Sequence, residues 1–395
     1  MMYNAKRVED ILRERKRYFE NNTGWLYPDE THGCKVYETQ RQTVEKVLSG
    51  EESFGSVFTL FNNFSEWHLR HAEYQILQLD QSVAARNEFA KSAIYGYLAV
   101  KKGKESAGCW ICNVFLYMSR ASFYMARNML CGWWDRAWDI ANIINESVDF
   151  GIVTDEKGNK VKRIITCDET EVPASWFLLE LFHKVKGSDF NRDNAEYPEL
   201  MTPYAQVLEK WDTDDLTDVD RSVYNMADRH LEQAKEPTGE NDEHPEFESA
   251  VLWLFPYEIL AWLALRKKAG LENPKEFSHP LMNTPLAKMF LELETPLPEP
   301  AELPYADELV AKLVENCPKM TGETEPEDKT PKSPTVLKTA PKTGRYRATL
   351  PEGHPQAEAL RIDPLAYRTY KAGERFSNAG LEEYEANKIE WVFVE

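Results

Sequence analysis

A chain of 395 residues is too long for one ordinary core, so length alone predicts two units, one large and one small. Hydrophobic residues make up 42%, with 11 Trp, 18 Tyr and 18 Phe, enough to fill a real core and to exclude wholesale disorder. A net charge of −19 argues against nucleic-acid binding and against anionic membrane surfaces, both of which need basic stripes.

Met1-Met2-Tyr3-Asn4-Ala5-Lys6-Arg7 leads straight into a charged amphipathic helix with no apolar leader, which predicts a soluble, cytoplasmic protein. Val8, Ile11, Leu12, Tyr18 and Phe19 mark one face of that helix, which Gly24 can end. Val36, Tyr37, Val44, Val47 and Leu48 repeat the pattern before Gly50. The stretch Val57 to Val100 predicts two helices that break near Asp80. Cys109–Leu130 and Trp134–Val148 follow, punctuated by Gly108 and Gly132. Ile152–Thr166 carries two β-branched runs around a Gly-Asn turn and predicts a small inserted hairpin.

Helices resume at Ala174–Lys186 and Tyr204–Lys210. Leu216, Val219, Val223, Met226, Ala227, His230, Leu231 and Ala234 then fall on one helical stripe. Val251–Lys267 is apolar nearly all round and predicts a central buried helix, kinked at Pro256. The most hydrophobic stretch, Ala250–Leu265, contains Pro256 and Glu258 and is too short to span a bilayer. Leu286–Leu293 and Tyr305–Glu315 close the helical part, and no fixed period supports a repeat solenoid.

Residues 318–337 read as a flexible linker, because they lack the apolar groups that offset the entropy of ordering. Beyond it, Tyr346–Leu350, Ala366–Tyr370 and Ile389–Val394 are strand-like, with a short helix at Gln356–Arg361. The expected architecture is mainly α: a helical bundle body over 1–317 with the inserted hairpin, and a small α+β module over 338–395.

The sequence offers little chemistry. The six cysteines are scattered and read as buried thiols in a reducing compartment. Cys109-Trp-Ile-Cys112 has redox spacing, but no second pair accompanies it and its neighbours are apolar. His68, His71 and Glu73 share a helix, yet neither HExxH nor the Glu-x-x-His pair of di-iron bundles is present. No metal or cofactor is expected. Trp133-Trp134-Asp135-Arg136-Ala-Trp138 suggests core packing with a cation–π contact more than a ligand cage. Phosphate loops, nucleophile elbows and kinase signatures are missing from the sequence.

Charge is the most local feature. Residues 189–258 carry 19 Asp and Glu against 5 Lys and Arg, whereas 336–395 carry 9 of each. Asp212-Thr-Asp214-Asp215-Leu-Thr-Asp218-Val-Asp220 fails as a calcium loop, since Thr217 stands where glycine is required. Thr213 and Asp215 can cap the next helix, which accounts for two or three carboxylates and not for all. Asp212, Asp214, Asp215, Asp218 and Asp220, with Glu240, Asp242 and Glu243 and the flanking Glu246 and Glu248, therefore mark a candidate surface for a basic protein partner.

Pro341-Lys-Thr-Gly344-Arg-Tyr346, Leu350-Pro351-x-x-His354-Pro355, Arg368-Thr-Tyr370, Gly373-Glu-Arg-Phe376 and Ile389-Glu-Trp391-Val-Phe-Val394 resemble the tails of large helical immunity proteins. Such proteins are encoded beside polymorphic toxins of the Rhs and type VI secretion kind. In many of these tails a Cys precedes the proline, where this chain has Ala340. The resemblance implies a non-enzymatic antitoxin that binds one cognate toxin in the cytosol, and the lack of an apolar leader predicts a toxin with a cytoplasmic target. Two other classes remain open: a metal-dependent helical-bundle hydrolase using His68, His71 and the acids at 212–220, and an adaptor or scaffold whose tail docks elsewhere. Within the antitoxin reading, the alternative contact is the tail, where Arg368, Tyr370 and Arg375 would grip an acidic partner.

Overall fold

Asp80 takes a left-handed backbone conformation, φ +51°, and ends the first of two long helices that form the spine of the body. A computed structural model describes residues 2–21, 35–53, 55–106, 116–148, 165–166, 172–188, 197–236, 245–293, 296–316, 344–350, 367–370 and 390–393. The chain divides into two compact units, Met1–Thr324 and Glu325–Glu395. Among the described residues the first unit holds twelve α-helices and the second a three-stranded sheet, so the protein is mainly α.

The helices are α1 (Met2–Asn21), α2 (Lys35–Ser49), α3 (Ser56–Leu77), α4 (Ser82–Glu105), α5 (Met118–Leu130) and α6 (Trp134–Val148). After them come α7 (Pro173–Lys186), α8 (Tyr204–Glu209), α9 (Leu216–Gln233), α10 (Tyr257–Lys268), α11 (Pro285–Leu291) and α12 (Ala306–Asn316). Two short strands, β1 (Leu116–Tyr117) and β2 (Ile165–Thr166), pair in parallel. Leu116–Tyr117 is therefore strand, where the apolar pattern predicts helix; the rest of Cys109–Phe115 lies outside the described residues. So do the two arms of the expected hairpin apart from β2, together with Gly24.

Ser65 on α3 and Ser92 on α4 exchange reciprocal bonds, each Oγ donating to the other's carbonyl at 2.8 Å. Small hydroxyls here let the two helices approach closely while leaving no donor unpaired. Arg127 of α5 donates its Nη1 to both hydroxyl oxygens, at 2.8 and 2.6 Å, and its Nη2 to Glu66 at 2.9 Å. The guanidinium also lies 3.9 Å from the ring centre of Phe123. A fully buried arginine is tolerated because hydrogen bonds and a π-face replace the lost water.

Three helices, not one, are buried nearly all round: α5, α7 and α10. Helix α5 packs on α4, α6, α7 and α10, which makes it a centre of the body. Pro256 does not kink a helix there. It sits at the N-cap of α10, and residues 250–254 form turns before it. A proline lacks the N–H that a helix interior needs, whereas an orphan N–H position at a helix start tolerates it.

Two close approaches fix how α5 sits. Gly132, φ +75°, follows α5, and a Cβ there would meet the Pro296 backbone at 2.9 Å. Gly96 in α4 faces Tyr124, and a Cβ would stand 2.5 Å from the tyrosine ring. Only a glycine permits either contact.

In the second unit, β3 (Gly344–Thr349) is central and pairs antiparallel with β4 (Tyr367–Tyr370) and β5 (Glu390–Phe393). In register, Tyr346 pairs with Arg368 on one strand and Phe393 on the other, while Ala348 pairs with Trp391. These strands coincide with the three strand-like runs in the sequence and carry three of the tail motifs. The linker 318–337 and the helix at Gln356–Arg361 lie outside the described residues.

Candidate partner-binding surface

Asp215 explains where α9 begins. Its side chain accepts the Thr217 N–H at 2.9 Å and the Asp218 N–H at 3.4 Å, satisfying two orphan donors of the first turn. Those two amides hold the Asp215 carboxyl below its ordinary pKa. Thr213 does not cap the helix: its hydroxyl accepts from the Asp215 N–H at 3.3 Å and so shapes the turn that presents the cap.

A buried cation holds the turn. Arg266, in the last turn of α10 and closed from solvent, donates Nη1 to the Trp211 carbonyl at 2.7 Å. Its Nη2 serves the carbonyls of Thr213 and Glu272, both at 2.8 Å, and its Nε the Asn273 side chain at 3.0 Å. Burial lowers its pKa, opposed by the nearby charges of Asp214 and Asp212. Trp262 adds a third tie to this backbone, donating its indole N–H to the Trp211 carbonyl at 3.2 Å. The backbone of 211–213 is thereby clamped from below.

The remaining acids divide into engaged and free. Asp220 accepts the Ser278 N–H at 2.9 Å, fixing α9 to the 278–283 turn. Asp218 pairs with Arg221 one turn on. Asp212 and Asp214 are exposed, and no described cation lies within ion-pair distance of either. Asp212, Asp214 and Asp215 thus stand together on one rigid turn, with Asp218 and Asp220 on the helix that follows. Glu240, Asp242 and Glu243 lie outside the described residues.

Glu246 leaves the acidic surface altogether. Its side chain is only 4% exposed, accepting the Ala174 N–H at the start of α7 and facing Arg229 Nη2 at 3.4 Å. Burial pushes its carboxyl up to about 7, against the Ala174 amide and Arg229. Helix α7 has no cap of its own at Val172, so Glu246 supplies one from another segment. Sequence reasoning grouped Glu246 with the exposed acids. The buried Pro245 and Phe247 on either side are the only local signal to the contrary.

The histidine pair is tied up inside the body. His68 Nδ1 and His71 Nδ1 both meet Glu88 Oε2 of α4, at 2.7 and 3.0 Å, and Lys91 Nζ reaches Oε1 at 2.9 Å. His68 stacks on Tyr95 with 8° between the rings, and burial lowers its pKa. Three hydrogen bonds to cationic or polar donors hold the Glu88 carboxyl well below the carboxylate range, against the opposing effect of burial. Glu73 lies elsewhere, gripped by Arg15 of α1 at 2.8 and 2.7 Å. Among the described residues, no three His, Cys, Asp or Glu side chains are grouped to hold a metal.

Arg136 lies over the Trp133 ring, 4.8 Å from its centre, as the aromatic run suggests. Cys131 is buried and its thiol is pushed up by desolvation. Cys109 and Cys112 lie outside the described residues. No helix among the described residues is long and apolar enough to cross a membrane. Comparison with protein-family models, with curated proteins and with solved structures finds no match.

Proposed function

We propose that this chain is an immunity protein: an inhibitor that binds and neutralises one cognate, basic, cytoplasm-acting toxin protein through the turn before α9. It acts by binding and not by catalysis, and its partner is a protein and not a nucleic acid. The observation that carries this reading is the pair of exposed, unpaired carboxylates, Asp212 and Asp214, on a backbone clamped by Arg266. A rigid charged turn loses little conformational freedom on binding, and concentrated charge steers a basic partner into contact.

The tail motifs support the same class, and Asp215 and Asp218 extend the acidic surface along α9. Asp215 and Asp220 have structural duties, so they are poor positions to test. Asp212→Asn with Asp214→Asn removes the free charge and leaves the helix cap intact. If the neighbouring gene encodes a toxin, that protein is the probe, and association with it should slow steeply as salt rises, because exposed charges are screened over about 10 Å at 0.1 M. The double variant should associate more slowly and protect poorly, with the wild-type circular dichroism. Salt-independent binding, or wild-type protection by the double variant, would remove the acidic turn from the interface.

A further inference from the structure

The body contains an apolar chamber that the acidic surface does not use. It has a volume of about 320 Å³ and lies between the end of α5, α10 and α11, with Leu260, Leu263, Ala264 and Phe290 among its walls. That volume is within the usual range of small-molecule pockets. Among the described residues its ionisable lining groups are Lys267 and Lys268, both exposed. Two cations beside an apolar wall are notable in a chain of net charge −19.

The chamber borders a second, polar cleft of about 480 Å³, and Gly132, Trp134 and Lys268 line both. Lys267 is engaged, donating to the Leu293 carbonyl at 2.7 Å. Lys268 is not. Its ammonium lies 5.9 Å from the Trp134 ring centre, and no described carboxylate is within ion-pair distance. In the polar cleft, Arg136 Nη2 binds Glu299 at 2.8 Å, while the buried Nη1 meets no described acceptor. Asp135 is the other carboxylate lining that cleft, and it is exposed.

We propose that this chamber binds a small amphipathic carboxylate, its apolar part against Leu260, Leu263 and Phe290 and its head at the junction beside Lys268. The apolar walls release water from the tail, which favours binding in proportion to the area covered. The junction offers the exposed Lys268 ammonium, a donor suited to a head with a single negative charge. An alcohol would gain only the apolar part. An alkylammonium would meet Lys268 as a like charge. The proposal is independent of the acidic turn, which lies on another part of the body's sequence and shares no lining residue.

Decanoate, below its micelle concentration, is the probe, titrated calorimetrically into the full chain beside decan-1-ol and decylammonium. Saturable binding at one site is expected for decanoate, with the other two at least about tenfold weaker. Lys268→Glu, an exposed change, should weaken decanoate about tenfold without moving the thermal midpoint. Ala264→Trp should fill the chamber and abolish binding. Absence of saturable decanoate binding would overturn the site. Equal affinity for decan-1-ol, or unchanged affinity in Lys268→Glu, would overturn the assignment of an anionic ligand. Full binding by a folded Ala264→Trp variant would place the ligand elsewhere and defeat the proposal as well.

Discussion

Arg266 in the last turn of α10 donates to the carbonyl of Trp211 at 2.7 Å, tying a buried helix end to the turn that carries Asp212 and Asp214. The same guanidinium serves Thr213 and Glu272, so it reaches three backbone acceptors from two loops, and one of them, the Trp211 carbonyl, also accepts the Trp262 indole N–H. Arg266→Met should leave those carbonyls poorly satisfied and cost about 3 kcal/mol in urea denaturation. Arg266→Lys should recover little of it, because an ammonium cannot span the fork. A loss under about 0.5 kcal/mol for the Met variant would mean that water replaces the clamp.

Arg15 and Glu73 form a two-point pair with side chains 6% and 1% exposed. Breaking a buried pair strands a charge, so Arg15→Met should destabilise by about 3–5 kcal/mol. Replacing both, as Arg15→Met with Glu73→Leu, should restore most of that stability. Equal losses in the single and double variants would show that packing around Tyr18 and Phe19, and not the stranded carboxylate, sets the cost.

Glu246 gives a pH dependence whose sign is fixed by its raised pKa. The folded chain holds the proton up to about pH 7, whereas the unfolded chain releases it near 4.5. Between those values the folded state binds more protons, so this group's contribution to stability falls as pH rises, by about 3 kcal/mol in all. Glu246→Gln keeps an acceptor for Ala174 and should remove this slope. Denaturation midpoints at pH 5 and pH 7.5, compared between the two proteins, measure it. Parallel pH dependence in both would contradict the assignment.

Asp215 behaves in the opposite sense. Its carboxyl is held below the ordinary 3.8 by the amides of Thr217 and Asp218. Its contribution is therefore complete above that value and is lost as pH falls through the folded pKa. Asp215→Ala should speed hydrogen exchange in the first turn of α9 at neutral pH, while Asp215→Asn should leave it nearly unchanged and insensitive to acid. Unaltered exchange in the Ala variant would show that the Arg266 clamp alone holds the turn.

Much of the fold is legible in the sequence because helix and strand periods are local. The break at Asp80, both ends of α9 and the three strands of the second unit follow from spacing and turn chemistry. Pro256 was legible as a disruption but not as a helix start, since the residues before it are as apolar as those after. The site was half legible. The acids of 212–220 announce themselves by composition, yet Arg266 reads only as a cation at a helix end. Its partners are backbone carbonyls 55 and 53 residues away, which carry no side-chain signature. Glu246 was misread for the same reason: the amide it caps belongs to Ala174, 72 residues earlier.

Gly96 bears on how this protein can change over evolutionary time. Each residue advances a helix by about 100°, so one residue lost or gained between Asp80 and Gly96 would rotate a different side chain toward Tyr124. The candidates are its neighbours Tyr95 and Tyr97, and neither can occupy a gap too narrow for a methyl group. The packing of α4 against Tyr124 therefore resists any change in length between Asp80 and Gly96. The ring of Tyr124 acts as a gauge for reading frame, rejecting any α4 that arrives out of step.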